Sequence, residues 1–344
     1  MATRRTAVGI AIVGAAALAA VSIPAQGAQP AYTRTATGTV FMPNPVQELG
    51  DESLTDQKDA DYPALAPAYH RETLTHLDGS GTLTGAYVRV KSSTGQQATS
   101  TGAVFPDWHR NSDQFEQVMG YYWVTTAQAY LQHLGFGSTL RPVNQRQIEL
   151  RIDQYGGDNS FFRDDKANIT LGKGGVDDAE DAEVIVHEYG HSVQDGQVPG
   201  FGTTLESGAI GEGFGDYLAV VVTSWAAGAP TRTPEACVAD WDSVSYTSTV
   251  PHCLRRLDGT KVYPTNLRGE VHADGEIWSR ALWDIRGALG DVKGTTAIVE
   301  AQFAFAKDTS FHDAALATVA AAQRLYGASA AKQVTTAFEA RGIL

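Results

Sequence analysis

Apolar and polar positions change rhythm along the chain. Between Glu72 and Val90 they alternate, with a break at Asp78-Gly79-Ser80-Gly81 that predicts the turn of a hairpin. Ile148, Leu150 and Ile152 alternate with charged residues as in a half-buried strand, and a second short strand is expected from Asn168 to Leu171. Residues 113–134 read as a helix, with Asp113 placed to cap it, Glu116 three residues on and Gly135 to end it. Beyond residue 176 helical phrasing takes over, at 178–195, 210–226, 273–288, 296–307, 312–326 and 328–341. A long irregular stretch, 227–270, interrupts it. Strands first and helices second predict an α+β protein.

The remaining apolar run opens the chain. Arg4 and Arg5 precede apolar residues from Ala7 to about Val21, and small residues follow through Ala28. This pattern predicts a secretory signal peptide over 1–28; an uncleaved anchor is the other reading, but no basic stop-transfer cluster follows. Export changes the meaning of the rest. Residues 1–28 hold two Arg and no acids, so the mature chain carries 24 bases against 39 acids, a net charge of −15. Such a charge excludes nucleic acid and stable membrane association as expected partners. A secreted, monomeric protein is expected. The two cysteines, Cys237 and Cys253, are expected to form one disulfide worth about 3 kcal/mol, with two buried thiols as the alternative. Two cysteines cannot build a four-cysteine zinc site, so a metal here needs His and carboxylate ligands.

His187-Glu188-Tyr189-Gly190-His191 offers such ligands. Residues four apart share a helix face, so both imidazoles can reach one ion, and Glu188 projects beside them toward a bound water. Two solvated histidines on a surface helix are the bland alternative. Gly190 costs about 1 kcal/mol in mid-helix, which predicts close approach of another backbone. The third ligand is not a histidine of the metzincin kind, since Gln194 and Gln197 stand where that motif puts glycine and histidine. Glu212 is the candidate, with Asp216 one turn on to hydrogen-bond a ligand imidazole. The helix around them is apolar nearly all round, and buried acids need partners. His272 opens a further helix and could donate to an oxyanion, although a lone histidine is more often structural.

These segments in this order, His187 to His191, Gly211-Glu212-Gly213 with Asp216, and Val271-His272 with Gly275-Glu276-Ile277-Trp278, resemble the fungalysin-type zinc metallopeptidases, relatives of thermolysin among the gluzincins. Asp158-Asn159-Ser160-Phe161-Phe162 is similar to that family's substrate-binding edge, and the resemblance covers roughly 110–344. It implies a secreted zinc endopeptidase acting on protein or peptide. Its fold would be a thermolysin-like zincin, with a β-rich lobe (29–196) ending in the zinc-binding helix, a helical lobe (197–344), and the cleft between. It implies one catalytic zinc held by His187, His191 and Glu212, with Glu188 as general base. Asp216 would orient a ligand histidine, His272 would stabilise the transition state, and Asn159 would hold the substrate backbone unless it is only a turn residue. The tyrosine that assists in thermolysin relatives has no counterpart, because Thr203 falls at its spacing. No full inhibitory prodomain is expected, since the residues after the signal are needed for the β lobe. The acidic run Asp177, Asp178, Glu180, Asp181 and Glu183 could bind calcium, but a solvated helix N-terminus is the expected reading. A secreted zinc aminopeptidase and a non-catalytic protein keeping the fold are the alternatives. The first normally needs an acidic anchor for a free amine, and no such motif precedes residue 187.

Overall fold

The computed structural model describes residues 32–92, 95–228 and 231–344, so the leader expected over 1–28 lies outside the described residues. Strand β1 (Arg34–Phe41) leads to the short helix α1 (Pro45–Leu49), and β2 (Tyr69–Leu77) returns antiparallel to β1. β3 (Val88–Ser92) does not pair with β2. It runs parallel to β4 (Ile148–Tyr155), with Val88 opposite Ile148 and Val90 opposite Leu150. This corrects the hairpin expected over 72–90, where only isolated bridges such as Leu77 to Gly85 form. A parallel partner is reached by a long crossover, and a local turn signal carries no information about it. The strand expected at 168–171 is β6 (Asn168–Gly172), which lies between β4 and the antiparallel edge strand β5 (Phe161–Arg163).

Helix α2 (Asp113–His133) makes the crossover, with Ser112 rather than Asp113 at the position ahead of its first turn and no side-chain capping bond. Its residues Phe115, Met119 and Trp123 are fully buried, and it packs on β1, β3 and β4. Helix α3 (Ala182–Gln197) lies against α2, held where the Tyr189 hydroxyl donates to Gln128 Oε1 at 2.6 Å. Helix α4 (Leu205–Ala227) lies on α3 and α5 (Val271–Leu289) on α4. α4 begins earlier than its apolar run suggests, because Thr204 and Ser207 close a capping box ahead of it. Helices α6 (Asp291–Gln302), α7 (Phe311–Tyr326) and α8 (Ala328–Glu339) cover the far side of α5, α6 sitting earlier in sequence than the expected 296–307. One apolar cluster runs from Val40 and Ile148 through Ile185, Phe214 and Trp278 to Phe338. The irregular stretch contains a minimal ribbon of β7 (Cys237–Val238) and β8 (Arg255–Arg256), closed by the Cys237–Cys253 disulfide with a Cα separation of 5.2 Å.

Candidate active site

Three helices bring the expected ligands together because glycines let them meet closely. A Cβ on Gly190 of α3 would stand 3.0 Å from the Gly215 Cα of α4, as the cost of a mid-helix glycine suggested. A Cβ on Gly213 would lie 2.9 Å from the Ser279 nitrogen of α5. At these crossings His187 and His191 from α3 converge with Glu212 from α4. His187 Nε2 is 3.2 Å from His191 Nε2 and 3.1 Å from Glu212 Oε2, and His191 Nε2 is 3.7 Å from Glu212 Oε1. Donors about 2.0 Å from a tetrahedral ion stand about 3.3 Å apart, so the spacing fits one zinc.

The protonation chemistry agrees. Asp216 Oδ1 lies 2.9 Å from His187 Nδ1, and Arg255 grips Asp216 through Nε and Nη2, both at 2.7 Å. Asp216 is therefore ionised, its carboxyl held far below the usual range by Arg255 and His187 against the cost of burial. With Nδ1–H donated to Asp216, the neutral ring turns the lone pair of Nε2 toward a carboxylate and a second imidazole. Such a meeting of lone pairs needs a cation or a proton. Burial alone would lower the His187 pKa, but the Asp216 and Glu212 carboxylates overcome it and hold it near 10. Burial pushes His191 down to about 4, leaving it neutral. Glu212 is drawn down to about 2 by the surrounding histidines, although burial opposes this. The donor set fits a divalent ion displacing one proton.

Glu188 also has a carboxylate oxygen within 4.8 Å of a ring nitrogen of each histidine, so proximity alone would admit it as a ligand. Glu212 is the better ligand, with both oxygens at ligand-to-ligand spacing. Glu188 is 6% exposed, and its Oε2 is buried without a protein partner. Burial, helped by Glu212 and Asp178, raises its pKa to about 7 against the pull of His187 and Arg255. That is the value a general base near neutral pH requires. His272, second residue of α5, places Nε2 3.4 Å from Glu212 Oε2 and Nδ1 2.6 Å from Glu270 Oε1. Asn159 is exposed and lines a 770 Å³ cavity shared by Glu188, His191 and His272. Its segment is pressed on β6, where a Cβ on Gly172 would meet the Asn159 nitrogen at 3.2 Å.

Sequence reasoning missed Arg255 and Tyr246, which line the same cavity. Neither had a signal in the sequence, since both lie in the irregular stretch and only the folded ribbon, tied by the disulfide, sets Arg255 beside Asp216. Thr203 is exposed and outside the cavity lining, whereas the Tyr246 hydroxyl donates to Asp242 Oδ2 on the cavity wall. The acidic run is not a solvated helix terminus, and this corrects the expectation. All five acids are buried. Glu180 pairs with Arg110 at 2.8 Å, Asp181 caps α3 through the Glu183 amide, and Glu183 accepts from Gln47, Thr223 and the Ala239 amide. Asp177 faces Glu116 and Asp153, with carboxylate oxygens within 4.8 Å of one another. An acid in the first turn is cheap in water, but here the preceding turn is packed under the strands, so each charge requires a partner.

The fungalysin metallopeptidase family model matches residues 119–343. The chain is similar to "Extracellular metalloproteinase mep" of Aspergillus niger, 31% identical over 133 residues, which is 34% of this chain and 20% of that protein. It is also similar to "Extracellular metalloproteinase 3" of Trichophyton tonsurans, 26% identical over 146 residues, covering 38% of this chain and 21% of that protein. The aligned part thus spans about a fifth of the length of these curated relatives. In fold it is similar to the precursor of protealysin, a metalloproteinase from Serratia proteamaculans, at a TM-score of 0.54 and 15% identity, over 83% of this chain and 96% of that one. Family match, likeness of fold and convergent donors agree: the chain belongs to the fungalysin metallopeptidase family.

Proposed function

We propose that the protein is a secreted zinc endopeptidase that binds an extended protein or peptide chain in the cleft between residues 29–196 and 197–344. One observation carries this reading: two imidazoles and the Glu212 carboxylate converge at ligand spacing, with the unpartnered Glu188 oxygen beside them on the floor of an open cavity. Extracellular function is supported by the names of the fungal relatives. Among the described residues no helix is long and apolar enough to cross a membrane.

Zinc, when held by His187, His191 and Glu212, supplies a Lewis acid that polarises a carbonyl and acidifies water to a pKa of about 7. The chain's own groups do the rest. Asp216, fixed by Arg255, holds the His187 ring so that Nε2 faces the ligand cluster. Glu188 accepts a proton from the attacking water and passes it to the departing amine. His272, held at the mouth of α5 by Glu270, faces the developing oxyanion and donates to it. Asn159, exposed in the cavity lining, bonds the substrate backbone and keeps it extended.

Glu188→Gln tests this directly. The variant keeps about one zinc per chain and loses roughly 10²- to 10⁴-fold in turnover on casein. Full activity in that variant would overturn the mechanism. An aminopeptidase is the second reading, favoured by the buried acids Asp178 and Asp242 on the cavity wall, since a free amine needs carboxylates. Efficient cleavage of N-blocked peptides excludes it.

A further inference from the structure

At one end of the cavity, off the N-terminal end of α3, stand three carboxylates that the proposed chemistry does not use. Asp158, Asp178 and Asp242 each place an oxygen within 4.8 Å of the others. Asp178 is 2% exposed and Asp242 4%, while Asp158 stands at the open side. Ser160 donates to Asp178 Oδ2 and Tyr246 to Asp242 Oδ2, which leaves Oδ1 of each buried with no protein partner. Among the described residues no Lys or Arg is ion-paired with any of the three. Three carboxylates this close, two of them out of water, cannot all be ionised without a cation from outside the chain.

The walls indicate what kind of cation enters. Val184 and Leu254 line the same cavity and offer apolar surface for a methylene stem, while the acids wait at its end. We propose that Asp158, Asp178 and Asp242 form a specificity subsite for the lysine or arginine side chain of a substrate, on the amine side of the scissile bond. This rests on the peptidase reading above. The side of the bond follows from position. Val184 stands one turn ahead of Glu188 on the same face of α3, toward the acids, and Glu188 is the group that meets the departing amine. His272 stands instead beside Glu212, with Nε2 3.4 Å from Oε2. The planar guanidinium, with its fork of donors, matches two orphaned carboxylate oxygens better than an ammonium does, so arginine is favoured over lysine.

The test uses the full zinc-loaded enzyme and N-blocked peptides identical except for Arg, Lys, Leu or Glu after the scissile bond. Arg and Lys peptides should show kcat/KM roughly tenfold or more above Leu, with Glu lowest. In Asp242→Asn and Asp178→Asn the basic-to-Leu ratio should fall toward one. That ratio is internal to each variant, so a loss of folded protein cancels. A wild-type ratio near one, or a ratio unmoved by both variants, overturns the subsite while leaving the peptidase standing. Cleavage of no peptide at all fails the peptidase reading instead. Cleavage only of peptides with free N-termini, whatever residue follows the bond, reassigns the acids as an amine anchor and overturns the proposal. So does a calcium-induced rise in Tm that Asp242→Asn abolishes, if it comes without any basic preference.

Discussion

Asp216 is 1% exposed in its side chain and serves two donors, the imidazole Nδ1–H of His187 and the guanidinium of Arg255. Changing it to Asn keeps the shape and a carbonyl for Nδ1–H, but removes the charge that fixes the ring and answers Arg255. Asp216→Asn should weaken zinc binding about 10- to 100-fold, measured by competition with a chromogenic chelator. Glu212→Ala should lower bound zinc below one per chain, and unchanged stoichiometry would remove it as a ligand. Most of this cluster is legible in the sequence. His187, Glu188 and His191 follow from helical spacing, and Glu212 with Asp216 from the same period on an otherwise apolar helix. Arg255 was not readable, because it sits in a stretch without period whose course is set by a disulfide and a two-residue ribbon. The depth of Asp177 to Glu183 was hidden for a related reason. Charge pattern shows where acids are, but only packing shows that strands and Trp241 cover them.

Between elements, the site depends on how closely α3, α4 and α5 can approach. Gly213 faces the α5 backbone with no room for a side chain, whereas Gly287, later on α5, is exposed with nothing within 4 Å of a built Cβ. The same substitution therefore has opposite signs at the two positions. Gly213→Ala should destabilise by about 1–3 kcal/mol through overpacking and lower zinc affinity by shifting Glu212. Gly287→Ala should stabilise by about 0.5–1 kcal/mol through helix propensity alone. Urea unfolding of both variants measures this, and equal effects would show that the crossing has slack. The glycine at 190 announced its crossing in the sequence, since mid-helix glycine has a cost that something must offset. The parallel pairing of β3 with β4 did not, because the crossover through α2 separates partners that no local pattern links.

For the whole molecule, two sets of acids shielded from water act in opposite directions as pH changes, those crowded by other carboxylates and the one among the histidines. Burial first, and then neighbouring carboxylates, raise Asp177 to about 8 and Asp240 to about 7, from an ordinary value near 4. Between these limits the folded chain keeps protons that the unfolded chain has already released, so stability falls as pH rises through about 4 to 8. Glu212, held at about 2, contributes in the opposite sense: its stabilisation is full above about 4.5 and is lost as pH falls toward 2. The two together place the maximum of stability in the mildly acidic range. The urea midpoint without added divalent cations should therefore be higher at pH 5.5 than at pH 8. A midpoint that rises from pH 5.5 to 8 would mean that the interior carboxylates are solvated or already paired, and the buried acidic cores under α3 and at the cavity end would lose their physical basis.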